Sequence, residues 1–184
     1  MPTYTPWGAF QSSDRIAPGI MEYSTAGHGG IHLSPGRSRE MPECLRIKNG
    51  WYEEDTNWAR VVVVFSVHFP QERIKHAWGT LKQWLPDAYE TLTSTVILPG
   101  ESRVKDERQF QEDHRDDYVV IAAWGDWLSG VPKGFVYVSA SLGGSRSELD
   151  HNVSFLVPAD EYKQRKCFGF VIDVNRHPRI DALN

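Results

Sequence analysis

Cysteine is scarce in this chain: Cys44 and Cys167 are the only two in 184 residues. Neither belongs to a C-x-x-C pair, which excludes a zinc centre of the common cysteine type. A disulfide between them is disfavoured in a reducing cytoplasm, and the flanks "CLRI" and "CFGFVI" suit small buried residues. Long apolar runs are missing too. The longest, "VVVVF", is far too short to span a bilayer, so no membrane partner is expected. The opening "MPTYTPWGAF" has neither a basic region nor an apolar signal core, and the expected location is cytoplasmic. A basic stripe is also absent: 20 Lys and Arg stand against 24 Asp and Glu, for a net charge of −4. They are interleaved, as in "RVKDERQFQEDHRDD". Strong nucleic-acid binding is therefore not expected, and an acidic surface suits a basic protein partner instead. No H-E-x-x-H, no phosphate loop, no dinucleotide fingerprint and no G-x-S-x-G elbow occurs. The sequence names no metal site and no cofactor.

What the chain does have is aromatic side chains, 12% of the total with seven Trp, which either stiffen a core or mark an interface. It has no repeat and no linker, so a single domain over 1–184 is expected, with an irregular arm to about residue 17. "GIMEYST" and "GIHLS" alternate around "AGHGG", which reads as an N-terminal hairpin. A short strand is expected at "CLRI", turning at Asn49-Gly50. Residues 56–68 carry β-branched Val, which favours strand. Yet the acids before them, and the spacing of Ala59, Val62, Val63, Ser66 and Val67, lean to helix, with Asp55 and Thr56 as its cap. "PQERIKHAWGTLKQWLP" is the clearest helix, with Trp78 and Trp84 on its core side. A short helical turn follows Pro86, and a solvated helix anchored by Phe110 is expected between Glu101 and Asp117. The last third holds four strand-like runs, "YVVIAAW", "GFVYVSA", "VSFLV" and "FGFVIDV", joined by short links that favour an antiparallel meander. The expected class is α+β: an antiparallel sheet from the last third plus an N-terminal hairpin, with two or three helices from the middle packed on one face.

Chemistry concentrates in two pieces. In "YSTAGHGGIHLS", His28 lies among glycines. Such a loop can expose backbone N–H groups to an anion while the imidazole acts as general acid or base, with Gly29, Gly30 and His32 as binding residues. It reads equally as a plain hairpin turn. In "GWYEED", Glu53 and Asp55 are the candidate catalytic partners of His28 and Glu54 a binding residue. The plainer reading is that these acids stabilise the positive end of the following helix. His32 is expected on the face opposite Ile31 and Leu33. "RDDY" is a weak carboxylate pair. "LGGSRS" can hold a phosphate through its amides and Arg146, or serve as an ordinary loop. "WGDW" reads as a turn whose Trp127 is a candidate surface-binding residue.

The order "TPWG", "APGI", "STAGHGGIHLS", "GWYEED", "WGDW", "VPKG", "FLVPADEY", "FGFVID" resembles a family of uncharacterised bacterial proteins known only as a domain of unknown function and met in phages, plasmids and other mobile elements. The resemblance spans nearly the whole chain, "GHGG" and "FLVP" being its most specific parts. It implies a biological setting and assigns no catalytic residue. In that setting small acidic proteins are often anti-defence factors, including inhibitors of CRISPR effector complexes. The first functional expectation is therefore an accessory protein that binds and inhibits a host defence protein. The alternative is a small hydrolase or transferase using His28 with the Glu53–Asp55 carboxylates.

Overall fold

The computed structural model describes residues 4–146 and 152–181. The fold is α+β, with two four-stranded antiparallel sheets, and the chain divides into two compact units, Met1–Lys105 and Asp106–Asn184.

In the first unit the expected hairpin is the centre of a larger sheet. β1 (Ser12–Ala17), β2 (Ile20–Ser24), β3 (Gly29–Leu33) and β4 (Trp51–Glu53) follow one another in space as in sequence. The last third of the supposed irregular arm is thus strand β1. Its turn to β2 places Gly19 at φ +80°, a conformation that disfavours side chains. Alternation decides the faces. Ile20, Ile31, Leu33 and Tyr52 are fully buried against helices, with Val61, Val62, Ala77 and Leu81 in the same core. "CLRI" is not a strand: Glu43–Leu45 form a single 3-10 turn, preceded by the short helix α1 (Pro35–Glu40). Gly50 turns the chain into β4 at φ +72°.

The ambiguous valine run is helical, as α2 (Trp58–Val64). Trp58, Val61, Val62 and Phe65 are all buried, and a three–four spacing puts them on one helical face. Burial along that face outweighs the strand preference of Val. α3 (Gln71–Trp84) and α4 (Pro86–Thr93) follow. Ala77 and Leu81 are buried and Trp78 meets Tyr89 edge-on, with centroids 5.9 Å apart. Trp84, expected in the core, is instead 46% exposed, with the Arg103 guanidinium over its ring. It stands at the last residue of α3, where the buried stripe runs out.

α5 (Arg103–Asp113) has no buried residue, as its charge pattern suggests, and leads into the second unit. There β5 (Tyr118–Trp124), β6 (Phe135–Leu142), β7 (Val153–Pro158) and β8 (Arg179–Ile180) form the expected meander. The short helix α6 (Ala159–Tyr162) lies between β7 and β8. Val138, Ala140, Phe155, Val157 and Ile172 make its core. "FGFVIDV" is not the fourth strand. It meets β5 by a single bridge, Val119 to Val171, and Arg179–Ile180 take the place beside β7. Cys167 consequently lies exposed in a turn and Cys44 is half-buried, both as free thiols. The expectation of two buried cysteines fails because neither sits on a core-facing strand position.

Candidate site at the turn between the second and third strands

The turn from β2 to β3 is closed by Thr25. Its hydroxyl accepts a hydrogen bond from the His28 amide at 3.0 Å and donates to the His28 carbonyl at 2.7 Å, while its own amide donates to the same carbonyl. The His28 backbone is therefore engaged within the turn and offers no N–H to an anion. Gly27, Gly29 and Gly30 all lie outside the positive-φ region; Gly29 and Gly30 answer to space, whereas a Cβ on Gly27 would meet nothing within 4 Å. A Cβ on Gly29 would strike the Glu54 carboxylate, and one on Gly30 would strike the Trp7 ring and the Tyr52 carbonyl. These are close backbone approaches, for which glycine is the required residue.

β3 and β4 bring the two sequence pieces together through pairing of Gly30 with Glu53. The carboxylate that reaches His28, however, belongs to Glu54: Nδ1 and Oε1 stand 4.0 Å apart, with the side chains 58% and 51% exposed. That is an ion-pair distance and not a hydrogen bond. Glu53 turns the other way. Its carboxylate accepts from the amides of Asp55, Thr56 and Asn57 and from the side chains of Thr56 and Asn57. It thereby ties the turn that leads into α2; the helix itself starts at Trp58 behind Asn57 and has no side-chain cap, so the cap expected of Asp55 and Thr56 is not formed. Partial burial pushes the Glu53 carboxyl up, and the amide and hydroxyl hydrogen bonds outweigh it, so its pKa lies below the ordinary value. A carboxylate held in its ionised form by five donors is poorly suited to deliver or collect a proton. Asp55 is exposed in the turn after β4.

His32 lies on the face opposite Ile31 and Leu33, as alternation requires. Its ring packs against Trp51, tilted by 42° with centroids 4.4 Å apart, and burial pushes its pKa down. Trp51 also meets Trp7 and Tyr23, and Tyr23 meets Phe10. The N-terminal segment thus lays an aromatic cover over this face of the sheet. Tyr23 is 2% exposed, and its hydroxyl finds no hydrogen-bond partner among the described residues. His32 is therefore part of a packed aromatic cluster, while His28 is open to solvent.

The remaining candidates separate. In "LGGSRS" the amides of Gly143, Gly144 and Ser145 donate to Asp117, Ser141 and Leu142 carbonyls, so they do not form an anion cradle; Ser147 lies outside the described residues. In "RDDY", Asp116 pairs with Arg115 and Asp117 with His114. Trp127 is 76% exposed, its ring folded over Gly125 just beyond β5. Among the described residues, no three His, Cys, Asp or Glu side chains gather to hold a metal ion, and no helix is long and apolar enough to cross a membrane.

Sequence reasoning missed a buried histidine and its carboxylate partner in the second unit. His177 is 2% exposed; its Nδ1 accepts from the Asp173 amide at 3.1 Å. Nε2 therefore carries the proton and donates to Glu161, 3.2 Å away, while Arg176 holds the other Glu161 oxygen. With both ring nitrogens engaged, His177 is a structural tie. Only its place before Pro178 in a turn hinted at it.

No curated protein and no solved structure matches the chain. A family model described as a domain of unknown function, DUF7007, matches residues 1–115, a span that contains the whole β2–β3 turn and its carboxylates but not Trp127. On that match the chain belongs to the DUF7007 family.

Proposed function

We propose that the chain acts by binding another protein, as an accessory protein of a phage or other mobile element that inhibits a host defence protein. The observation that carries this reading is Trp127, a large aromatic side chain 76% exposed on the loop after β5. Exposed Trp is costly to leave in water and is the residue type most enriched at binding hot spots. The charge distribution supports the same reading. Residues 106–184 hold thirteen Asp and Glu against nine Lys and Arg, whereas residues 1–105 are balanced. The second unit thus carries the net charge that would steer a basic partner. The test is phage plaquing on a host with an active defence system, with and without the chain. Plaquing rises when the chain is expressed, a component of that system copurifies with it, and Trp127→Ala loses both effects. Unchanged plaquing with no copurifying component overturns the reading.

A second reading is a small hydrolase or transferase. It rests on the approach of His28 to Glu54, with Glu54 standing where Glu53 or Asp55 was expected as the partner of His28. Under this reading His28→Ala abolishes the biological effect and Trp127→Ala spares it. The opposite pattern removes it.

A further inference from the structure

The edge of β5 is only partly covered. Over Tyr118–Val120 it has neighbours on both sides: the Val120 amide donates to the Phe170 carbonyl at 2.9 Å, and the Ile172 amide donates to the Tyr118 carbonyl at 2.8 Å. Beyond Val120 the flanking segment turns back through the Lys166–Gly169 bridge. β5 itself continues to Trp124 with a bulge at Ile121. Among the described residues, no strand pairs with this outer edge from Ile121 onward. A cleft of about 440 Å³ separates it from Arg165–Phe170. The cleft shares Val120, Ile121, Arg146 and Phe168 with a groove of about 660 Å³ floored by Phe110, Val119 and Leu142.

The charge around this opening runs against that of its unit. The two hollows are lined by Arg115, Arg146, Arg165 and Lys166, and by one acid, Glu107. Arg115 is already paired with Glu112 and Asp116. The other three engage a carbonyl, a ring or solvent. Arg146 donates to the Ile121 carbonyl, Arg165 sits over the Tyr162 ring, and Lys166 is exposed. An open strand edge is a template for one more strand, and the cations beside it select the charge of that strand. Trp127 folds over Gly125 at the end of the same strand, where it can anchor an incoming chain.

We infer that the open end of β5 takes up an extended acidic peptide segment of a partner protein as an added strand, its carboxylates meeting Arg146, Arg165 and Lys166. Main-chain hydrogen bonds then supply affinity and the basic rim supplies selectivity. This goes beyond the reading of the chain as an inhibitor, because it holds for any protein partner that offers such a segment.

The test is fluorescence anisotropy on the full chain with short labelled peptides. A peptide of alternating Val and Glu binds, whereas the matching Val and Lys peptide and a single-stranded oligo-dT do not. Replacing both cations in Arg165→Glu/Lys166→Glu weakens binding by about tenfold or more; both side chains are exposed, so the variant folds, which circular dichroism verifies. Methylating alternate amides of the Val and Glu peptide removes binding, because the added strand loses its donors. Equal binding of the methylated peptide, tighter binding of the oligonucleotide, or indifference to the double substitution each overturns the inference.

Discussion

Glu53 shows how a single carboxylate can be drawn out of chemistry and into folding. Its oxygens gather the amides of residues 55–57 in the turn that leads into α2. Replacing it with Gln keeps the size and removes the charge; replacing it with Ala removes the acceptor that ties this turn. Glu53→Ala is expected to cost about 1 kcal/mol, the order of a net hydrogen bond to a charged group at a partly exposed site, read as a fall in melting temperature at neutral pH. The sign with pH follows from the lowered pKa. The contribution is present above the ordinary carboxylate value of 4.5 and is lost as pH falls through the lower folded value. Melting temperatures of the native chain and of Glu53→Gln should therefore converge in acid. A gap that widens there contradicts the assignment. The same residue explains the limits of sequence reading at this site. "GWYEED" announces acids before a helix, but the engaged carboxylate ties the turn ahead of α2 and leaves the helix without a side-chain cap. Which of three adjacent carboxylates turns inward depends on the register of β4 against β3, and that register is written in residues far along the chain. The "GHGG" glycines were legible as a turn, but their true constraint, the nearness of Trp7 and Glu54, is a tertiary one.

At the scale of elements, β2 is tied to α3 by one ion pair. Arg73 holds both oxygens of Glu22, and its guanidinium lies over the rings of Trp58 and Phe69. A bidentate, ring-stacked Arg is not replaced by Lys, which lacks the planar fork. Arg73→Lys is expected to lower stability by about 1 kcal/mol in urea denaturation, most of the loss produced by Arg73→Ala. Full recovery by Lys would reduce the contact to simple charge attraction. Element type followed the sequence wherever periodicity was long, as in α3 and in β5 to β7. It failed where the run was short and the outcome rested on neighbours. "CLRI" forms a 3-10 turn, and "FGFVIDV", apolar enough for a strand, finds β5 already paired with β6 and touches only its far edge. Local propensity carries no information on which strand edge remains vacant.

On the scale of the whole molecule, each unit has its own core, built of residues from its own stretch of sequence. Sequence composition gave no boundary, because the change falls inside the unbroken helix α5. Leu81 is fully buried in the first core, and Leu81→Ala there removes contacts worth about 3 kcal/mol. Hydrogen exchange should quicken through residues 12–93, while the amides of β6 and β7 keep their protection. Equal loosening of both would mean that the chain unfolds as one cooperative body.

The Tyr23 hydroxyl, without a hydrogen-bond partner among the described residues and packed against Phe10 and Trp51, gives the protein an optical label of its own. A phenol shut away from water beside tightly packed indoles has a fixed orientation, and its near-ultraviolet circular dichroism reports whether the N-terminal segment is in place. Tyr23→Phe keeps the ring and drops an oxygen that gains nothing from burial. It should match or slightly exceed the native melting temperature while subtracting the Tyr23 contribution from that spectrum, so that the difference between the two spectra isolates the signal of the cover.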